Sequence, residues 1–78
     1  MGTDTVENPL SFTEKFPGVT YTTREYKKAR KVEIYCNVFG RVRCTTLSFD
    51  QIDTARFDIV QATRDRLYRE LSQEATRG

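Results

Sequence analysis

The period of the hydrophobic pattern changes once along this chain, at Ser48, and that change constrains the fold more than any other feature. Upstream, the segment Lys31–Val38 alternates with a period of two, which is typical of a strand with one buried face. One side of this strand carries Val32, Ile34 and Cys36. The other side carries Glu33, Tyr35 and Asn37. Downstream of Ser48, apolar residues recur every three or four positions, which is typical of an amphipathic helix. The sequence therefore predicts an α+β domain.

Three antiparallel strands are predicted before the helix, because Thr, Tyr and Val are frequent there and turn residues separate the segments. Their predicted bounds are Val19–Lys27, Lys31–Val38 and Arg41–Leu47. With Lys28-Ala29 at the tip of the first hairpin, the paired residues are Tyr26 and Lys31, Arg24 and Glu33, and Thr22 and Tyr35.

The second hairpin has two candidate registers. A two-residue turn at Phe39-Gly40 would set Cys36 opposite Arg43, so that an apolar residue meets a charged one. A three-residue loop instead sets Cys36 opposite Val42 and keeps each face uniform, with Gly40 in the left-handed position. We predict the three-residue loop. It also pairs Asn37 with Arg41, Tyr35 with Arg43, and Ile34 with Cys44.

This register places Cys36 and Cys44 diagonally on one face of the sheet, the face assigned to the core. Diagonal neighbours lie about 7–8 Å apart, which is too far for easy disulfide formation. The sequence therefore predicts two free, buried thiols, of the kind that a reducing compartment maintains.

The helix has a clear start signal, because Ser48 and Gln51 have the spacing of a capping box. A single helix over Asp50–Gln73 would be about 36 Å long, whereas a seven-residue strand spans about 23 Å. We therefore predict a three-stranded sheet with one long helix on one face (βββα), and a helix that overhangs the sheet. The N-terminal segment, with Leu10, Phe12 and Phe16, would then cover the overhang, or a second copy or a partner would bind there. The uncovered side chains are Leu67, Tyr68 and Leu71.

The chain is short enough that one domain is the only reasonable count, and we assign it to residues 9–74. Residues 1–8 are polar and are predicted to be a flexible tail, and residues 75–78 a frayed end. Between Pro9 and Pro17, Phe12 and Phe16 have i, i+4 spacing, which favours one helical turn or a packed loop over the core.

Composition argues against several functional classes. The chain has no His and two Cys, so it lacks a four-ligand zinc set and the commonest general base. The close acidic pair Asp50 and Asp53 is interpreted as helix capping. No apolar run is long enough for a membrane span, and the first ten residues do not resemble a signal peptide. We expect a cytoplasmic, non-enzymatic protein without metal or cofactor, and without a membrane partner.

Charge is segregated along the sequence although the net charge is only +2. Seven basic and two acidic residues lie between Arg24 and Arg43, against six basic and nine acidic residues elsewhere. This excess indicates an anionic partner, and we predict duplex DNA bound to the outer sheet face. The predicted contact residues are Arg24, Tyr26, Lys28, Arg30, Lys31, Tyr35, Arg41 and Arg43, with Asn37 and Thr45 on the same face.

Several short motifs between Pro17 and Leu71 carry a resemblance to a known family. They are Gly18-Val19, Ile34-Tyr35, Gly40-Arg41 and Leu47-Ser48-Phe49-Asp50, followed by Ala55 early in the helix. In these the chain resembles the plant ethylene-response-factor (Apetala-type) DNA-binding domain and is similar to the arm-binding domains of phage integrases. Those domains place the sheet face away from the helix in the major groove. The resemblance implies DNA contacts from Arg24, Lys31, Tyr35, Arg41 and Arg43.

The leading prediction is thus a small DNA-binding module, such as a phage or mobile-element accessory or regulatory protein, which would act in the cytoplasm of the host if viral. The alternative is a protein–protein interaction module that binds a larger protein through the overhanging helix or the sheet face. Such a module could act as an inhibitor of that protein. A homodimer through the helix and a structural subunit of a large assembly belong to the same alternative.

Overall fold

A computed structural model of the chain describes residues 7–77, apart from the side chain of Arg77; the predicted tail therefore lies mostly outside the described residues. The elements in chain order are β1 (Leu10–Phe16), β2 (Val19–Tyr26), β3 (Lys31–Val38), β4 (Arg41–Ser48), α1 (Phe49–Thr54) and α2 (Ile59–Arg77). The strands form one antiparallel sheet in the order β1-β2-β3-β4. The predicted α+β class, with an antiparallel sheet and a C-terminal helix, is confirmed.

The sheet has four strands, so the prediction of three was wrong by one. The segment Leu10–Phe16 is a strand paired with β2, and it forms neither a helical turn nor a loop. A spacing of four is also a multiple of two, so Phe12 and Phe16 lie on one side of an extended strand as readily as on one side of a helix. The turn Pro17-Gly18 closes the hairpin, with Gly18 at φ +78°, as in a type II turn.

The hairpin between β2 and β3 has the predicted register. Tyr26 pairs with Lys31, and Arg24 pairs with Glu33. A four-residue connection, 27–30, joins the two strands, and Arg30 at its end adopts a left-handed conformation with φ +55°. This backbone direction brings the Arg30 carbonyl within 3.0 Å of the Phe49 amide, which donates a hydrogen bond to it.

The predicted register of the second hairpin was wrong. Phe39 and Gly40 form a two-residue turn with φ +49° and +88°, and Val38 pairs with Arg41. Turns with two left-handed residues match the twist of the flanking strands, and the Asn37 side chain supports this one by accepting the Gly40 amide at 2.9 Å. The correct register sets Cys36 opposite Arg43.

The corrected register reverses the two faces of β4. Cys36 is buried and Cys44 is exposed, so the two thiols lie on opposite faces of the sheet and the prediction of two buried thiols was wrong for Cys44. Arg41, Arg43 and Thr45 lie on the helix side, although they were predicted on the outer face. The charge of Arg43 is accommodated there because two glutamates of α2 pair with it, as described below.

The predicted long helix is in fact two helices. The capping box is confirmed, since Ser48 and Gln51 exchange hydrogen bonds at 2.8 and 3.1 Å. The first helix ends at Thr54, and its C-cap residue Ala55 has an extended backbone with ψ 138°. The Asp58 carboxylate then accepts the Gln61 amide at 3.0 Å and caps α2, because a short acceptor side chain at this position satisfies a free N–H of the first turn.

The core lies between α2 and the central part of the sheet. Its buried members are Val32, Ile34, Cys36, Val38, Leu47, Leu67 and Leu71. The prediction that Leu67 and Leu71 overhang the sheet was wrong, since their side chains are 2% and 1% exposed. The shorter α2, with 19 residues, spans about 28 Å and matches the length of about 27 Å of an eight-residue strand. Over residues 7–77, neither helix combines the length and apolar character needed to cross a membrane.

Candidate nucleic-acid interface

Both helices pack on one face of the sheet, and the opposite face, here called the outer face, carries alternate residues of all four strands. The members with Ser or Thr hydroxyls are Ser11, Thr13, Thr20, Thr22, Thr46 and Ser48, and the cationic members are Lys15, Arg24 and Lys31. The remaining members are Tyr26, Glu33, Tyr35, Asn37, Val42 and Cys44. Nearly all the charged and aromatic side chains of the outer face stand on β2 and β3.

Glu33 organises the centre of the outer face. Its Oε1 accepts hydrogen bonds from the hydroxyls of Tyr26 at 2.8 Å and Tyr35 at 3.0 Å. The bond from Tyr26, and to a lesser extent the bond from Tyr35, lowers the pKa of Glu33 despite partial desolvation. The same bonds are the main reason that the pKa values of both tyrosines are raised. At neutral pH the glutamate is therefore ionised and both hydroxyls keep their protons.

The two tyrosine rings in turn position two cations. The Arg24 guanidinium lies 5.0 Å from the centre of the Tyr35 ring, and the Lys31 ammonium lies 5.0 Å from the centre of the Tyr26 ring. Both distances are within the range of cation–π attraction. Within residues 7–77 neither cation forms a salt bridge. The outer face therefore presents two ordered positive charges that remain available to an external anion.

Positive charge is concentrated on this side of the molecule. The outer face and the connection 27–30 together hold six basic residues and one acidic residue, Glu33. The rest of the chain holds seven basic and ten acidic residues. Local excess of this kind attracts polyanions even when the net charge of the whole protein is small.

The connection 27–30 adjoins the outer face at the Tyr26 end and already holds an anionic group. The Glu7 carboxylate accepts the backbone N–H of Lys28 at 2.8 and 2.9 Å, and that of Ala29 at 3.3 Å. Partial desolvation raises the pKa of Glu7, but the backbone hydrogen bonds, that of Lys28 first, outweigh it and hold the pKa below its usual value. The connection thus has a defined site for a negative charge.

Arg30 is directed toward the start of α1. Its guanidinium lies 3.3 Å from the Asp50 carboxylate and 5.5 Å from the centre of the Phe49 ring. Both charged side chains are well exposed, so the pair contributes little to stability. Arg30 remains near the outer face, but Asp50 balances its charge.

The structure brings together part of the set predicted from sequence. Arg24, Tyr26, Lys31 and Tyr35 form one cluster on the outer face, and Lys28 and Arg30 lie in the adjoining connection. Arg41 and Arg43 lie on the helix side and do not join the cluster. Arg43 bonds Glu70 and Glu74 of α2, each at 2.9 Å. The bond to Glu70, followed by the charge of Glu74, raises the pKa of Arg43, and the two ion pairs link β4 to α2.

Sequence reasoning missed three members of this region. Lys15 was missed because β1 was not predicted, although Ser11, Thr13 and Lys15 alternate with Leu10 and Phe12 in the sequence. Glu33 was interpreted only as an opposing charge, and its role in orienting two tyrosines depends on side-chain positions. Glu7 is 21 residues from Lys28, and no sequence pattern indicates that they meet.

A second unusual surface lies on the helix side of β1. The apolar stripe of this strand comprises Leu10, Phe12 and Phe16, which are 47%, 58% and 54% exposed. These side chains remain uncovered because α2 packs mainly on β3 and β4. Tyr68 of α2 lies across a shallow depression from Phe16, and β1 is an edge strand.

Arg64 fixes the position of the β1–β2 hairpin relative to α2. Its guanidinium pairs with Glu14 at 2.6 Å, donates to the Thr23 hydroxyl at 3.2 Å, and lies 5.2 Å from the centre of the Tyr21 ring. The hairpin is thus held by polar contacts, while its apolar stripe remains open.

Comparison with known proteins identifies no relative for this fold. No protein-family model matches the chain, and no curated protein and no solved structure is significantly similar to it. The resemblance to the ethylene-response-factor domain therefore remains a prediction, supported only by the short motifs that suggested it.

Proposed function

We propose that this protein is a DNA-binding module that docks its outer face on the major groove of duplex DNA. The observation that carries the proposal is the ordered cluster of Arg24, Tyr35, Glu33, Tyr26 and Lys31 on an open sheet face. Both cations of this cluster lie against tyrosine rings, and within residues 7–77 neither forms a salt bridge, although the Glu33 carboxylate is their neighbour on the sheet.

The dimensions and chemistry of the outer face suit this role. The major groove is about 12 Å wide. The charged and aromatic side chains of the outer face stand mainly on β2 and β3, the two central strands, and could enter the groove together. Arginine reads guanine edges or binds phosphate, and lysine binds phosphate, while the threonine hydroxyls of β1 and β2 can donate to backbone oxygens.

The proposal differs from the sequence-based prediction in its residues. Arg41 and Arg43 are replaced by Lys15 and Lys27 as contributors to the positive surface. Arg43 is excluded from the contact set because both of its bonded partners belong to α2.

We expect removal of two outer-face cations to abolish most DNA binding. The double variant Arg24→Ala/Lys31→Ala should lower affinity for mixed-sequence duplex DNA about a hundredfold or more at about 50 mM salt, since each charge-assisted bond contributes about 1.5–3 kcal/mol. The slope of log affinity against log salt should fall by about 1.8 for the loss of two phosphate contacts. Fluorescence anisotropy between about 50 and 200 mM salt measures both quantities.

The matched control is Arg66→Ala/Arg69→Ala, which removes the same charge from exposed positions on α2, opposite the outer face. Its affinity should stay within about twofold of the wild type, since long-range attraction alone is weakly directional. Equal losses in the two double variants would show a non-specific charge effect, and absence of salt-sensitive binding by the wild type would refute the proposal.

The apolar stripe of β1 favours a second candidate function, which is protein interaction by pairing with another copy of the chain. Two β1 strands can pair antiparallel about a two-fold axis. Their apolar stripes then lie on the same face of the joined sheet only when the axis passes through a residue rather than between two residues. Centring on Thr13 pairs all seven residues of β1, with Leu10 opposite Phe16 of the second copy. Centring on Phe12 would engage Pro9, which has no N–H, and centring on Glu14 would oppose two like charges.

This second candidate predicts concentration-dependent dimers. Sedimentation velocity over about 1 to 200 µM should show dimerisation of the wild type, and Phe12→Lys should remain monomeric because a lysine on an edge strand opposes pairing. Phe57→Lys is the control, since Phe57 is also well exposed but lies between the two helices. A wild type that is monomeric throughout would exclude pairing through β1.

A further inference from the structure

The connection between β2 and β3 has the geometry of an anion-binding site. The backbone N–H groups of Lys28 and Ala29 point at one carboxylate, and the Lys28 N–H lies within 2.9 Å of both of its oxygens. Successive N–H groups that converge on one anion form a nest, which binds phosphate groups in many proteins. Here the anion in the nest is the protein's own Glu7.

We propose that this nest is a phosphate-binding site, that Glu7 occupies it in the free protein, and that a backbone phosphate of DNA displaces Glu7 on binding. The inference rests on the proposed DNA-binding function and adds to it a defined phosphate contact and an internal competitor. A diester phosphate suits the nest because it carries one negative charge and two free oxygens, as the carboxylate does.

The surroundings of the nest favour a polyanion over an isolated carboxylate. Lys27 and Lys28 are exposed residues of the same connection, and Lys31 follows on the outer face. The charges near the nest are those of Lys27, Lys28, Arg30 and Lys31, with Asp50 paired to Arg30. A phosphate in the nest would therefore meet Lys27, Lys28 and Lys31, of which Lys31 also interacts with the Glu33 carboxylate.

The position of Glu7 makes it an effective competitor. Only Asn8 and Pro9 separate it from the start of β1 at Leu10, so its carboxylate is held close to the nest at a high effective concentration. DNA must compete with this tethered carboxylate, and binding of phosphate releases residue 7 from the connection. The occupied nest thus lowers the affinity of the free protein for any anion.

The test is the Glu7→Gln variant, which keeps the size of the side chain and removes its charge. In fluorescence anisotropy with duplex DNA at about 50 mM salt, we expect about three- to tenfold higher affinity than the wild type. The slope against salt should equal that of Glu25→Gln, because a phosphate occupies the nest in both proteins and the change of charge is the same. The control is Glu25→Gln, which makes the same charge change on the helix side of β2.

The outcomes separate the inference from the proposed function. If wild type, Glu7→Gln and Glu25→Gln all fail to bind DNA, the proposed function is refuted. If the wild type binds with the expected salt dependence but Glu7→Gln equals Glu25→Gln in affinity or binds more weakly, the inference is overturned and the function stands.

A second measurement needs no DNA. In amide NMR spectra of the free protein, titration with inorganic phosphate should shift the Lys28 and Ala29 resonances at lower concentration in Glu7→Gln than in the wild type. The expected midpoint is at least threefold lower, because the tethered competitor is lost. Identical midpoints in the two proteins, or shifts spread evenly over all basic residues, would overturn the inference.

Discussion

Replacing Leu67 with alanine should lower the free energy of unfolding by about 2–5 kcal/mol, because the substitution leaves a cavity beneath the sheet. The Leu67 side chain is 2% exposed and belongs to the core cluster with Ile34 and Leu71. A domain of 78 residues is stabilised by roughly 4–12 kcal/mol in total, so this loss is a large fraction of the whole. Urea unfolding followed by circular dichroism measures it.

The control for Leu67→Ala is Tyr68→Ala on the next position of α2. Tyr68 is 41% exposed and borders the apolar stripe, so its truncation should cost less than about 1 kcal/mol. If the two variants are equally stable, α2 is not seated on the sheet as described. The comparison also tests whether Leu67 belongs to the core of the domain or to an overhanging surface that binds a partner.

The two thiols should differ in reactivity by at least a factor of about 10³. Cys44 is exposed on the outer face, whereas Cys36 is fully buried and reacts only when the domain opens. Burial also raises the pKa of the Cys36 thiol, which disfavours the reactive thiolate. An opening free energy of about 4 kcal/mol or more corresponds to the stated factor. A disulfide reagent such as dithionitrobenzoate at neutral pH should therefore label one thiol per chain rapidly.

Serine variants assign the fast and the slow phase of thiol labelling to the two cysteines. Cys44→Ser should remove the fast phase and leave the slow one, and denaturant should make Cys36 as reactive as a free thiol. Two slow thiols would instead support the three-residue loop, because that register places both cysteines on the buried face. The experiment thus tests the register of β3 and β4 without a high-resolution structure.

The strands and the start of the helix could be predicted where the local signals were strong. The alternation of Lys31–Val38 and the capping box at Ser48 depend on neighbouring residues only, and both are present as predicted. To predict the register of β4, one must choose which of its two alternating sets of residues faces the core. Val42 and Cys44 suggested one face as the core, but Leu47 lies on the other and is the buried residue.

What sequence reasoning missed depends on contacts between distant residues. Arg43 can face the helix because Glu70 and Glu74 are there to pair with it, and an edge strand tolerates the exposure of Val42. The break in the predicted helix has a local signal in Asp58 and Gln61, which have the same spacing as Ser48 and Gln51, but the continuous apolar stripe concealed it.

The sequence was sufficient to predict the chemistry of the candidate site, but only some of its residues. Charge segregation and the β2–β3 register were sufficient to group Arg24, Tyr26, Lys31 and Tyr35. The role of Glu33 as a shared acceptor and the capture of Glu7 by the connection 27–30 require side-chain geometry.

The order of the strands also determines how this protein emerges during synthesis. Each strand pairs with the one before it through a turn of two to four residues, so the sheet can form as the chain appears. Its apolar face, however, has no cover until α2 has been made. At 5–20 residues per second, roughly 2–7 s separate the addition of Val38 from that of Leu71. An apolar face without its cover is prone to association, so aggregation in the cell should depend on translation speed between β3 and α2.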